Sequence, residues 1–261
     1  MTLHTVELLN IGGIAAYSTL RGAADAMNPY DGFSTCSYTS DSPERVQQAI
    51  RLLSSHTGLG TDRLIFPRQT HSLNVKLIDR TPFPADMLAD TDALVTTLTD
   101  TILCIHTADC VPVLLADAEA GVIAAAHSGW KGTVGRISEL TVQKMVEAGA
   151  RPDRIVAAMG PCICAGCFEV GEEVVERFME AGFPPTIVSR DASLPRPHID
   201  LPAAVRHTLI QSGILDCNIS LPPGCSYCSP DKYFSARRLG IKSGRTLSYI
   251  MMGGHPVQTH R

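Results

Sequence analysis

Residues 107–132, TADCVPVLLADAEAGVIAAAHSGWKG, decide how this chain of 261 residues is read. VPVLLAD and GVIAAAH are apolar runs of strand length, and the intervening AEA with its following glycine is a turn signal. Asp109 and Cys110 stand immediately before the first run, while His127 closes the second and is followed by the chain's one tryptophan, Trp130, and by Lys131. Strand ends are rigid places from which side chains can be aimed into a common cleft. The stretch therefore predicts two buried strands that deliver a carboxylate, a thiol and an imidazole to one edge of a sheet.

The flanking sequence extends this pattern. DALVT and ILCIHTADC are two further strand-like runs, predicted to lie adjacent to the two central ones, and RLIFPRQTHSLNVKLI reads as strand, loop, strand, with Pro67 breaking the first and His71 on the loop. DSPERVQQAIRLLSSHTG is the clearest helix: Ser42 caps it, Pro43 suits its first turn, Val46, Ile50 and Leu53 recur at helical spacing, and Gly58 ends it. TVGRISELTVQKMVEAGA predicts one amphipathic helix through Val134, Ile137, Leu140 and Met145. RIVAAMG is a strand, GEEVVERFMEAG and LPAAVRHTLIQSG are helices, and TLSYIMM is a last strand. Strands alternating with helices imply an α/β (α+β) fold in which mixed β-sheets are covered by helices. SRDASLPRPHIDLP is the best linker candidate, but the helix after it has an apolar face that needs a core, so residues 1–261 are read as a single domain.

Composition narrows the partners. With 44% hydrophobic and 18% charged residues the chain is an ordinary globular sequence, and a net charge of -4 offers no basic face for nucleic acid or an anionic membrane. The start MTLHTVELLN lacks an export signal, and no apolar run approaches the roughly 20 residues of a membrane span. The expectation is a cytoplasmic protein with a small-molecule partner. Nine cysteines, an odd number in a long chain, read as free thiols or metal ligands rather than as a disulfide framework. CICAGC and CSYC raise a four-thiolate zinc site, with small loop residues as the bland alternative.

His71, Cys110 and His127 together suit a three-ligand zinc site that leaves a fourth position open for water or substrate. The separations of 39 and 17 residues match no short zinc motif, so a satisfied core histidine and an inert cysteine are the competing reading. A third reading needs no metal: Cys110 as a thiolate nucleophile, His127 as its base, and Asp109 or another acceptor orienting the imidazole. Arg21, Gln69 and Lys131 are candidates to meet an anion, and Trp130 either stacks on a flat ligand or plugs a strand-to-helix corner.

In order along the chain, QTHSLNV, DTDALVT, TADCVPVLL, AAHSGWKGTVGRI, GPCICAGCFEVGEEV and CSYCSPDKYFSARRLGIKSGR resemble the motifs of the polyphenol-oxidase, or laccase-domain, family, also regarded as multifunctional purine nucleoside phosphorylases. The resemblance spans nearly the whole chain. It implies a single α/β unit and makes His71, Cys110 and His127 the metal-binding positions, with zinc the expected ion and copper implied by the oxidase assignment. It implies that Arg21 holds phosphate, and that the substrates are phosphate and purine nucleosides: adenosine, inosine and methylthioadenosine for phosphorolysis, adenosine for deamination. It also leaves room for an amidase that edits cytoplasmic peptidoglycan precursors, for a copper polyphenol oxidase, and for a ligand-binding protein without turnover. Asp109, beside Cys110, is the candidate for proton handling. Ala23 and Ala24 stand where the family has a glycine pair, and Ser34 where it has asparagine, which bears on substrate preference.

Overall fold

The structure, a computed structural model, describes residues 1–22, 25–190 and 195–253. In chain order its strands begin with β1 (Thr5–Ile11), β2 (Ile14–Thr19), β3 (Leu64–Ile65), β4 (Val75–Ile78), β5 (Ala93–Thr96), β6 (Thr101–Thr107), β7 (Val111–Asp117) and β8 (Val122–Ser128). They continue with β9 (Val156–Met159), β10 (Val188–Ser189), β11 (His198–Ile199), β12 (Ile219–Ser220) and β13 (Thr246–Met252). The helices are α1 (Pro43–Thr57), α2 (Trp130–Val134), α3 (Ile137–Glu147), α4 (Glu172–Glu180), α5 (Leu201–Gln211) and α6 (Ala236–Leu239). No helix among the described residues is long and apolar enough to cross a membrane.

Two mixed sheets stack face to face. One has the order β1-β2-β13-β6-β3 and the other β12-β9-β7-β8-β5-β4; β10 and β11 form a small hairpin apart from both. Alternate side chains of the two large sheets meet between them: Leu9, Ile14, Leu103, Ile105 and Ile250 from the first against Leu94, Leu114, Ile123 and Ala125 from the second. The opposite side chains of β7 and β8, among them Val113, Leu115 and Ala124, pack on α3, α4 and α5 through Ile137, Met145, Phe178, Val205 and Leu209. The outer face of the first sheet is covered by α1, where Ala49 and Leu53 meet Ile102, Cys104 and Tyr249. Every residue of β6, β7 and β8 is buried, which is why those strands read as continuous apolar runs rather than alternating ones.

The α/β architecture with helix-covered mixed sheets follows the sequence reading, and so do the bounds of α1: Ser42 accepts from the Arg45 amide and Gly58 closes the helix at φ 71°. Two details differ. DALVT and the two central runs are neighbours, but ILCIHT (β6) belongs to the other sheet, between β13 and β3. The long helix expected over TVGRISELTVQKMVEAGA is broken, because Arg136 takes the left-handed conformation (φ 65°) and separates α2 from α3. The proposed linker includes residues 191–194, outside the described residues, but its His198–Ile199 pairs with Val188–Ser189.

One buried acid secures the β7–β8 hairpin. Asp117 is fully buried and accepts hydrogen bonds from the amides of Glu119, Ala120 and Arg151 and from the Arg154 guanidinium. Burial opposes its ionisation, but the amides of Arg151 and Ala120 and the charge of Arg154 outweigh it and lower its pKa. A depressed carboxylate stabilises the fold above its unfolded pKa of about 3.9 and loses that contribution as pH falls through the folded value. Asp117→Asn should therefore cost about 2 kcal/mol at neutral pH, with the gap from wild type closing in acid. Urea unfolding at several pH values measures it; an equal gap at all pH values would contradict the assignment.

Candidate metal centre

The second sheet brings four segment ends to one place. The register of β7 against β8 sets Pro112 opposite His127, so Cys110 lies just beyond the strand end that faces His127. β5 pairs with β8 so that Ala93 opposes Ala126, and the His127 amide donates to the carbonyl of Asp92, 2.8 Å away. β4 runs parallel to β5 from Val75, and the loop that precedes it carries His71. His71 is itself in the left-handed region, at φ 63°.

The donor atoms of His71, Cys110 and His127 lie within 4.8 Å of one another, with Cys110 Sγ 3.9 Å from His71 Nε2. Zinc bonds of 2.0–2.1 Å to nitrogen and 2.3 Å to sulfur place such donors about 3.6 Å apart in a tetrahedron, so small side-chain movements close the set around an ion. His71 is exposed, Cys110 half-buried and His127 buried, which leaves the cluster open on one side. Gly129 is required for this approach. A Cβ there would lie 2.8 Å from Cys110 Sγ and 2.9 Å from His71 Cδ2.

Asp92, to which the sequence reading assigned no role, organises the cluster. Its buried carboxylate accepts from His127 Nδ1 at 2.7 Å, from the amides of Thr70, His71 and Ser72 at 3.1, 3.1 and 2.7 Å, and from the Ser72 hydroxyl at 2.8 Å. Engaging Nδ1 in this way leaves Nε2 of His127 as the free ligand nitrogen, the arrangement by which a carboxylate orients a metal-binding histidine. Burial opposes the charge on Asp92, yet the bond and charge of His127 and the amides of Thr70 and Ser72 hold its pKa at about 2. Without an ion, burial would raise the Cys110 thiol, but the charge of His127 and the bonds from His127 and His71 lower it to about 6. For His127, burial acts against charge while the Cys110 thiolate and the bond to Asp92 prevail, giving a pKa of about 9. The only sequence signal for Asp92 is an acid set directly against the four buried residues of β5.

The other expected site residues fall elsewhere. Arg21 is 2% exposed, and its guanidinium donates to the carbonyls of Asp25, Ala26, Asn28, Asp31 and Pro230, with Phe234 beneath it. All five of its N–H groups are thus engaged by backbone carbonyls, and in this structure it ties residues 25–31 to residue 230. Gln69 pairs in both directions with the backbone of His106, at 2.7 and 2.8 Å, and so fixes the loop leading to His71. Trp130 opens α2 and packs partly on the helical core, with the exposed Lys131 ammonium 5.7 Å from its ring. Asp109, at φ 87°, accepts from the Ser226 hydroxyl and the Arg237 amide, each at 2.7 Å, so it clasps residues 226–237 beside Cys110. Ser34 is buried and accepts from the Arg245 amide, while Ala23 and Ala24 lie outside the described residues.

A stacked two-sheet α/β fold with a His-Cys-His cluster at a sheet end defines a candidate metalloprotein. The chain belongs to the multi-copper polyphenol oxidoreductase laccase family, whose model matches residues 15–253. It is 46% identical over 248 residues to adenosine deaminase RL5 from an unknown prokaryotic organism, covering 92% of this chain and 95% of that one. It is 40% identical over 254 residues to a purine nucleoside phosphorylase of Bacteroides thetaiotaomicron, covering 94% of each. Its fold is similar to that of the Neisseria meningitidis protein NMB0706, with a TM-score of 0.81 at 26% identity over 96% of this chain and 99% of that one.

Replacing Asp92 by asparagine should lower metal affinity about 10–100-fold, because the amide turns an N–H group towards donors that need an acceptor. Competition against a chelator of known affinity reads this directly, and unchanged affinity would remove the orienting role of Asp92.

Proposed function

We propose that the chain is a zinc-dependent purine nucleoside phosphorylase acting on adenosine, inosine and methylthioadenosine, with adenosine deaminase activity, and with the whole chain as its single domain. The observation that carries this reading is the convergence of His71, Cys110 and His127 around the Asp92 carboxylate, in a chain similar over almost its full length to enzymes bearing those two activities in their names. His71 Nε2, Cys110 Sγ and His127 Nε2 are the proposed ligands. Zinc held by them would supply Lewis-acid chemistry. Zinc is favoured over copper because phosphorolysis and deamination exchange no electrons between molecules, and a redox-inert ion suits a thiolate ligand.

In phosphorolysis a phosphate oxygen bonds to the anomeric carbon as the glycosidic C–N bond breaks, leaving ribose 1-phosphate and the free purine. The leaving base must gain a proton, and Asp109 is proposed to handle it, with its carboxylate held in place by Ser226 and Arg237. Lys131 is the proposed phosphate contact in place of Arg21, and Trp130 beside it is proposed to stack on the purine. Gln69 acts indirectly, by holding the His71 loop against β6. In deamination, water replaces the amino group of adenine and ammonia leaves.

A second reading is favoured by one observation: the Cys110 thiol lies beside the His127 ring, which the Asp92 carboxylate orients through Nδ1, the arrangement of a cysteine nucleophile, its base and the group that positions the base. It would make Cys110 the nucleophile of an amidase. The two readings part on chelation, which would abolish a zinc-dependent activity and spare a cysteine hydrolase.

The deciding experiment assays a nucleoside panel with and without phosphate, alongside elemental analysis. Wild type should release hypoxanthine from inosine only with phosphate, and Cys110→Ala should lose this catalytic zinc and at least about 100-fold in rate. Full phosphate-dependent activity in a Cys110→Ala variant that retains all its metal would overturn the proposal. Activity that survives complete chelation but not thiol alkylation would move the assignment to the cysteine hydrolase.

A further inference from the structure

Cys164, Cys167, Cys225 and Cys228 form a second cluster, separate from the His-Cys-His set, in which all four sulfurs lie within 4.8 Å of one another. They come from two C-x-x-C segments, one after β9 and one after β12. We infer that these four thiolates form a structural zinc site. Four sulfurs at 2.3 Å from a tetrahedral zinc are about 3.8 Å apart, the scale of the observed cluster, in which Cys167 and Cys228 are separated by 3.3 Å.

The backbone assembles the site without help from the sulfurs. A parallel bridge joins Cys162 to Cys225, and the Ser226 amide donates to the Cys162 carbonyl at 2.9 Å, so the two segments are zipped together two residues before the first cysteine of one pair and at the first cysteine of the other. Each segment then turns tightly: the amide of Cys167 donates to the carbonyl of Cys164 at 3.0 Å, and that of Ser229 to the carbonyl of Cys225 at 3.1 Å. Such turns bring side chains three apart onto one side. The Cys164 amide also donates to Cys225 Sγ at 3.3 Å, a bond that stabilises negative charge on that sulfur. Disulfides would join the sulfurs in pairs at about 2.05 Å; a metal uses all four in the one compact group that the turns create.

The position explains what the ion would do. β12 contributes only two residues to its sheet, and residues 221–235 then run without helix or strand to α6. Irregular chain of that length needs anchoring, and a structural zinc contributes folding energy outright. The same segments hold Asp109: the Ile163 amide donates to its carbonyl at 2.9 Å and the Ser226 hydroxyl to its carboxylate. A metal clasp here therefore steadies the wall next to Cys110. It is independent of what the His-Cys-His cluster catalyses.

The test uses the full chain purified under reducing, metal-replete conditions, with zinc as the probe. Wild type should hold about two zinc ions per chain, and His71→Ala/Cys110→Ala should keep one, with an X-ray absorption shell of four sulfurs at about 2.3 Å. Cys167→Ser/Cys228→Ser should also hold one, bound by mixed nitrogen and sulfur, and unfold at a lower Tm. The inference is overturned if His71→Ala/Cys110→Ala binds no zinc, if its metal is iron, or if rapid alkylation and peptide mapping recover Cys167 and Cys228 as a disulfide. The first variant keeps the four cysteines intact, so the result stands even if the second does not fold.

Discussion

The Asp92 carboxylate is the constraint on which the centre depends. It is completely buried, and a buried carboxylate is costly unless its oxygens are well supplied with donors. Three successive amides, a hydroxyl and an imidazole supply them, and in doing so they bind the loop of residues 70–72 to the end of β8. The left-handed backbone of His71 is sustained by this network, since its amide must turn inward to reach Asp92 while its ring stays with Cys110. Charge, backbone conformation and ligand geometry are thus one arrangement, and removing the acid would release all three.

The comparison of His127 with His106 shows how far environment decides the chemistry of a residue type. Both are buried on central strands. Among the described residues His106 has no carboxylate partner; burial, with the nearby charges of Arg245 and His127, lowers its pKa to about 3, and its Nε2 is matched to the Thr35 hydroxyl. It stacks on Phe66 as a neutral ring. His127 faces Asp92 and the Cys110 thiol and is pushed the other way. The same residue type is thus driven towards the neutral ring on one strand and towards the charged ring on the other.

That contrast also marks what could be read from sequence. The buried strands β7 and β8, the caps of α1 and the convergence of His71, Cys110 and His127 were legible, because apolar runs and capping residues act locally and strand ends are natural places for ligands. Asp92 was not, since a carboxylate beside an apolar run is ordinarily a turn residue, and only the pairing of β5 with β8 reveals the histidine opposite. The bonds of Arg21 were hidden for the same reason. An arginine in a glycine-containing loop suits an anion, but its partners here are backbone carbonyls from residues 25–31 and from Pro230, far away in sequence. The split between α2 and α3 rests on a left-handed Arg136 whose guanidinium reaches Gln211 and the Ala181 carbonyl, a long-range preference that helical periodicity cannot register.

The cysteine pairs show the opposite case, a local signal whose weight changed with topology. Two C-x-x-C segments 61 residues apart are weak evidence in a chain with nine cysteines. Parallel pairing of β12 with β9 brings them side by side, and the bridge from Cys162 to Cys225 puts them in register. β9 lies next to β7, whose leading residues are Asp109 and Cys110. The segment that the four thiols gather is therefore the one that Asp109 clasps, and the two clusters stabilise adjoining parts of one wall: Asp92 from the β5 side, the cysteines from the β9 side. A two-residue edge strand and a long irregular segment are thereby tied to the sheet end that carries Cys110, and ties of this kind limit how far its donor atom can wander.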